Sequence, residues 1–164
     1  NVRVPAQNRI GEEGQGWHYA NFLLGNERTS YAHVAGKRMQ MAAIEQFMES
    51  IGEQDHQTQL NDLSVRLDTL DVTVLRVLAT VANGESPGNE SSILKIMATE
   101  LAQDITELGM VVRQYAGIAS FSAEMPDRAG AKAMVDYLGT RSQSIYGGSN
   151  EIQKNIIAKR VLGL

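Results

Sequence analysis

Leu60-Asn61-Asp62-Leu63-Ser64-Val65-Arg66-Leu67-Asp68-Thr69-Leu70-Asp71-Val72-Thr73-Val74-Leu75-Arg76-Val77-Leu78-Ala79-Thr80-Val81 sets Leu60, Leu63, Leu67, Leu70, Val74, Leu78 and Val81 three or four residues apart. That spacing lines one face of an α-helix, and it stops at Asn83-Gly84. Downstream, after the turn Glu85-Ser86-Pro87-Gly88-Asn89-Glu90, Ile93, Met97, Leu101, Ile105, Leu108 and Val112 repeat the pattern. Ser91 is placed to cap this helix, which is expected to run to about Ser120. Met125-Pro126-Asp127 marks a further turn, and Ala129 to Tyr137 or Leu138 a shorter helix. Upstream, Tyr19, Leu23, Glu27, Tyr31, Val34 and Met41 predict one long helix from Gly16 or Trp17 to about Ser50, with Gly52 as its C-terminal cap. Residues 1–15, with Pro5, Gly11 and Gly14, read as an extended lead-in. Each apolar stripe is core, because every helix must bury one face. Short connections make neighbours antiparallel, so the expected fold is all-α: an up-and-down four-helix bundle (16–164) with an additional short helix and an extended N-terminal segment (1–15).

Composition agrees and narrows function. The chain of 164 residues is 43% hydrophobic but only 5% aromatic, with Pro 3 and Met 7, which favours helix over sheet. It is the size of one domain and large enough to bury a core unaided. Cys 0 excludes disulfides, thiolate metal sites and a thiol nucleophile. A formal net charge of −4 offers no basic surface for nucleic acid. No apolar run reaches the ~20 residues that span a bilayer, and no signal-peptide pattern opens the chain, so a cytoplasmic location is expected. The start at Asn1 without methionine reads as a fragment.

Three places carry possible chemistry. Glu53-Gln54-Asp55-His56 has the Glu-x-x-His spacing of di-iron bundles, but only one copy is present, so no metal site is expected. Ile145-Tyr146-Gly147-Gly148-Ser149-Asn150-Glu151-Ile152-Gln153-Lys154-Asn155-Ile156-Ile157 joins a glycine turn to a helix start, with Ile152, Ile156, Ile157 and Val161 at helical spacing. Such a junction presents free N–H groups to a ligand oxygen, and equally serves as plain capping. Glu27 shares a helical face with Ala20, Leu23, Leu24, Tyr31 and Val34. Burial there would raise its pKa towards that of a general base, whereas pairing with Arg28 would make it structural.

The last stretch, with its ending Arg160-Val161-Leu162-Gly163, resembles the C-terminal signature of acyl-CoA dehydrogenases. Val2-Arg3-Val4-Pro5, Gly14-Gln15-Gly16-Trp17 and Leu24-Gly25-Asn26-Glu27-Arg28 resemble that family's passage from its middle β-domain into its C-terminal helical domain. The resemblance implies an FAD-dependent dehydrogenase that makes an α,β double bond in an acyl-CoA thioester during lipid catabolism. It also implies a tetramer, homomeric or with a homologous subunit, and electron-transfer flavoprotein as electron acceptor. Most of the family places its catalytic glutamate where this chain has Gly147. A smaller group has glycine there and a glutamate before an arginine on the first helix, the place of Glu27-Arg28.

On that pattern Glu27 takes the pro-R α-proton while the β-hydride passes to N5 of FAD. Both carboxylate positions reach one substrate carbon, so moving the carboxylate from 27 to 147 is expected to recover part of the rate. Asn26, Arg28 and Gly148 resemble positions near bound substrate. Gln114 and Gly117 resemble a segment meeting the FAD of a neighbouring subunit, and Ser149, Asn150 and Glu151 resemble residues contacting the flavin nucleotide. One departure stands out: the family's arginine for the FAD pyrophosphate has no counterpart in Glu53-Gln54-Asp55-His56-Gln57. That departure leaves a second reading, a non-catalytic assembly subunit completing a partner's site.

Overall fold

The computed structural model describes residues 1–27, 30–114 and 128–164, without the side chains of residues 25–27 and 128–131. Among the described residues six α-helices follow in order: α1 Gly16–Glu27, α2 Val34–Ile51, α3 Gln57–Ala82, α4 Ser91–Val111, α5 Arg128–Arg141 and α6 Asn150–Ile156. No strand occurs among the described residues.

The bundle is built on α3 and α4. Leu60, Leu63, Leu67 and Leu70 of α3 join Met41, Ile44 and Met48 of α2 and Leu94, Ala98, Leu101, Ile105 and Leu108 of α4 in one buried cluster. Each such leucine contributes on the order of 1.5–3 kcal/mol by leaving water. Arg38 of α2 meets Asp68 and Asp71 of α3, both at 2.9 Å, and Arg66 meets Asp104 of α4 at 2.7 Å, which places the antiparallel neighbours in register. Towards its C-terminus α3 buries Val77, while Leu78 and Val81 stay exposed. The register explains it: α2 begins at Val34, only four residues before the arginine opposite Asp71, so α3 outruns its neighbour.

The two sides of α4 differ. Leu94, Ala98, Leu101, Ile105, Leu108 and Val112 form the apolar side. About a third of a turn away Lys95, Thr99, Gln103 and Thr106 recur at helical spacing, and this polar row meets the C-terminal third of the chain. Gln103 Nε2 donates to the Thr140 carbonyl (3.2 Å) and to Ser144 Oγ (3.1 Å), the Thr106 and Thr140 hydroxyls pair at 2.9 Å, and Arg141 Nη2 donates to the Gln103 carbonyl at 2.8 Å.

Four expectations need correction. The first helix is not continuous: α1 ends at Glu27, Ser30–Ala32 forms a 3-10 turn, and His33 is left-handed (φ 37, ψ 45) before α2 begins. Lys37 Nζ donates to the Ala32 carbonyl at 2.7 Å and the Tyr31 carbonyl at 3.3 Å, taking acceptors that an unbroken helix would have paired with backbone N–H groups. Ser91 does not cap α4; it is the first helical residue, and its hydroxyl donates to the Gly88 carbonyl at 2.7 Å. The third helix closes at Val111, with Gln114 at φ 47; residues 115–120 lie outside the description. Finally, the buried face of α6 is polar, Asn150 and Gln153, while Ile152 is exposed. Gly52, by contrast, caps α2 in the left-handed conformation as its sequence position implies (φ 69), with Glu53 N–H donating to the Met48 carbonyl at 2.9 Å.

Candidate functional site

Gly147 and Gly148 both have positive φ, +66 and +87, which a side chain would strain. Ser149 is the N-cap of α6, its Oγ accepting from Ile152 N–H at 3.4 Å. The close approach that the two glycines permit is made from within the chain. A Cβ on Gly147 would overlap the Tyr31 hydroxyl and lie 2.8 Å from Tyr31 Cζ, and one on Gly148 would lie 2.6 Å from Gln153 Nε2. The turn is thus held between a phenol from the 3-10 turn and an amide from α6. Gln153, 1% exposed, donates to the Gly148 carbonyl at 3.3 Å and more weakly to that of Gly147. With both carbonyls drawn towards the helix, the turn is fixed in one geometry.

Behind it lies a buried cation. Lys95 has no exposed surface, and its Nζ donates to Asn150 Oδ1 at 3.0 Å; Thr99 Oγ1 donates to the same oxygen at 3.3 Å. Asn150, proposed from resemblance as a flavin contact, therefore has its carbonyl oxygen engaged inside the chain. Burial pushes the Lys95 pKa below the ordinary lysine range, partly offset by the Glu151 carboxylate. Glu151 itself is exposed, and its own N–H and the Ser149 hydroxyl at the helix start hold its carboxyl below the usual range. Gly148, Ser149, Asn150 and Glu151 are together at this corner.

Glu27 and Asn26 are the closing residues of α1, with side chains outside the description, and Arg28 and Gly117 fall outside the described residues. Gln114 is exposed with φ 47, yet it lies past the far end of α4 from the Lys95–Asn150 contact, with ~24 Å of helical rise between Lys95 and Val111. One chain therefore does not bring Gln114 to the turn. Beside it Arg113 lays its guanidinium 4.1 Å over the centroid of Phe47, a fixed cation that sequence reading passed over. At the loop after α2, Glu53 Oε1 accepts the Asp55 N–H at 2.6 Å and faces His56 Nδ1 at 3.3 Å, and these hydrogen bonds hold the Glu53 carboxyl below its ordinary pKa. No group of three or more metal-ligating side chains occurs among the described residues, and no described helix is long and apolar enough to cross a membrane.

Next to the turn a cavity of about 420 Å³ is lined by Tyr31, Lys37, Gln40, Thr140, Gln143 and Tyr146, among others. Tyr31 and Tyr146 rings, 6.0 Å apart, stand where it meets the turn. Lys37 is 4% exposed, and burial lowers its pKa from 10.5 to about 8.

The profile of the family described as "Acyl-CoA dehydrogenase, C-terminal domain" matches residues 14–162. Acyl-CoA dehydrogenase IpdE1 of Mycolicibacterium smegmatis is 30% identical over 167 residues, 99% of this chain and 40% of that protein. Among solved structures, the Tcur3481-Tcur3483 steroid ACAD superposes with a TM-score of 0.84 at 22% identity over 99% of this chain and 43% of its own. The ChsE4-ChsE5 complex from Mycobacterium tuberculosis gives 0.78 at 26% identity, over 99% and 44%. The chain spans less than half the length of these relatives. With the helical bundle, the glycine turn and a match over nearly its whole length, this chain belongs to the acyl-CoA dehydrogenase family, as a C-terminal domain.

Proposed function

We propose that the full-length protein carrying this chain is an FAD-dependent acyl-CoA dehydrogenase in which Glu27 is the catalytic base. The observation that carries the assignment is Tyr31 lying against Gly147. Position 147 offers no carboxylate, and the space one would start from is filled by the side chain of Tyr31, four residues after Glu27 in the sequence. Glu27 removes the α-proton of the thioester, acidified by the adjacent carbonyl, as a double bond forms between the α- and β-carbons. The flavin, when bound, supplies the acceptor for the β-hydride. Asn26, Arg28 and the backbone of Gly148 position the acyl-CoA, and the α1 end and the turn together exclude water from the reacting carbons.

The fit to FAD is divided. Gln114 and, at the turn, Ser149 and Glu151 present polar groups to the surface, suited to a nucleotide with Gly117 nearby in sequence, but they sit too far apart to serve one flavin from one chain. That separation supports an oligomer in which Gln114 meets a neighbour's flavin. The loop at 53–57 is acidic and would repel a pyrophosphate; Arg113 is the cation adjacent to Gln114. Electron-transfer flavoprotein is the expected electron acceptor. The acidic loop also favours a second reading, a non-catalytic subunit completing the site of a homologous partner.

Glu27→Gln in the full-length protein decides between them. It keeps shape and flavin binding while removing basicity, so substrate-dependent flavin reduction should fall by ~10²–10⁴-fold. Reduction within a few-fold of wild type would place the base elsewhere and make the assembly reading the better one.

A further inference from the structure

We propose that the cavity beside the glycine turn receives the far end of the acyl group, and that this end carries a carboxylate which pairs with Lys37. The inference rests on the reading of the turn as the place of the reacting carbons. Tyr31 touches Gly147 on one side and lines the cavity on the other, so an acyl chain leaving the turn past Tyr31 and Tyr146 enters this space. Its volume, about 420 Å³, is in the range of small-molecule sites.

The lining is wrong for a plain hydrocarbon. Gln40, Thr140, Gln143 and the two tyrosines line the cavity, and Lys37 is among its lining residues. Two Lys37 N–H groups are taken by the Ala32 and Tyr31 carbonyls, but those are neutral acceptors. Among the described residues no carboxylate lies within ion-pair distance of Lys37, whereas Arg38, one residue on, has two. A buried cation that meets only neutral acceptors among the described residues is costly and is compensated most simply by an anion brought from outside. Burial lowers the Lys37 pKa to about 8. A carboxylate is the anion an acyl chain can carry, and the amides of Gln40 and Gln143 supply donors for its second oxygen.

The test uses the full-length flavoprotein and matched thioesters: glutaryl-, adipyl- and suberyl-CoA against pentanoyl-, hexanoyl- and octanoyl-CoA. Dissociation constants are read from the flavin absorbance change, and flavin reduction is followed in parallel. The expected result is that at one chain length or more the ω-carboxylate binds at least tenfold tighter than its hydrocarbon partner. Lys37→Met should erase that preference, so that each dicarboxylate binds no tighter than its hydrocarbon partner in the same variant, with unchanged circular dichroism and flavin content as the control for folding. Equal or weaker binding of every dicarboxylate in the wild-type protein overturns the proposal without any variant. So does a preference that survives Lys37→Met. If no thioester binds or reduces the flavin, the dehydrogenase reading itself falls, and this inference with it.

Discussion

Replacing Gly147 by alanine tests whether the turn is locked by Tyr31. Two costs follow from the geometry. At φ +66 an L-residue with a Cβ gives up ~1–2 kcal/mol relative to glycine. The new methyl would also overlap the Tyr31 hydroxyl and stand 2.8 Å from its Cζ, so the ring must recede by roughly 1 Å, an overpacking cost of ~1–3 kcal/mol. Gly147→Ala should therefore cost about 2–5 kcal/mol, read from urea denaturation of the 164-residue chain by circular dichroism. Tyr31→Ala removes the obstacle but not the backbone strain. In the double variant the alanine at 147 should cost only its conformational share, giving a coupling of ~1–3 kcal/mol between the two positions. A Gly147→Ala cost under ~1 kcal/mol, or additive single effects, would show that the phenol does not occupy that space.

Four further outcomes are expected. The family resemblance implies that adding Gly147→Glu to Glu27→Gln recovers part of the flavin reduction, but the packing reverses that expectation: no recovery should appear while Tyr31 is present, because the phenol fills the first atoms of the new side chain; clear recovery contradicts the packing. Asn150→Ala leaves the Lys95 ammonium buried without its carbonyl acceptor and should cost ~1.5–3 kcal/mol, visible as a lower urea midpoint and absent in a Lys95→Met background. Leu67→Ala, at a side chain 1% exposed, should cost ~2–5 kcal/mol by the same assay. The Lys37 pKa falls from 10.5 to about 8 on folding, so between those values the unfolded chain binds more protons and stability from this group rises with pH. The full burial cost, about 3 kcal/mol, applies below pH 8 and vanishes above 10.5; urea midpoints across that window should climb in wild type and flatten in Lys37→Met.

Local periodicity made much of the bundle legible. Leu60 to Leu70 of α3 and Leu101, Ile105, Leu108 and Val112 of α4 are buried where their spacing puts them, whereas Leu78 and Val81 are exposed and Leu94 and Ala98 take the core places expected of Ile93 and Met97; Gly52 and Ser149 cap as their types suggest. What escaped depends on partners distant in sequence. Nothing between Glu27 and Val34 is a proline or glycine, so no local signal marks the break there; it is fixed by Lys37 folding back onto two carbonyls. The polar row Lys95, Thr99, Gln103 and Thr106 has helical spacing too, but a reading weighted to apolar residues passes it by, and its partners are 34 to 55 residues away. The stripe of isoleucines in the last helix misled for the complementary reason, since the face that this chain buries there is amide. At the site, Gly147-Gly148-Ser149 announced a turn, while Tyr31 and Gln153, which hold it, carried no signature.

The break after Glu27 has a mechanical consequence. Because the 3-10 turn at Ser30–Ala32 and the left-handed His33 interrupt the path into α2, α1 and α2 do not form one stiff rod. Trp17 and Leu23, which are 77% and 55% exposed, leave apolar surface on α1 open. If Glu27 is the base, its aim at the α-carbon is set in part by whatever surface covers those two side chains. Turnover would then track the occupancy of that contact, falling on dilution or mild urea before the bundle itself melts.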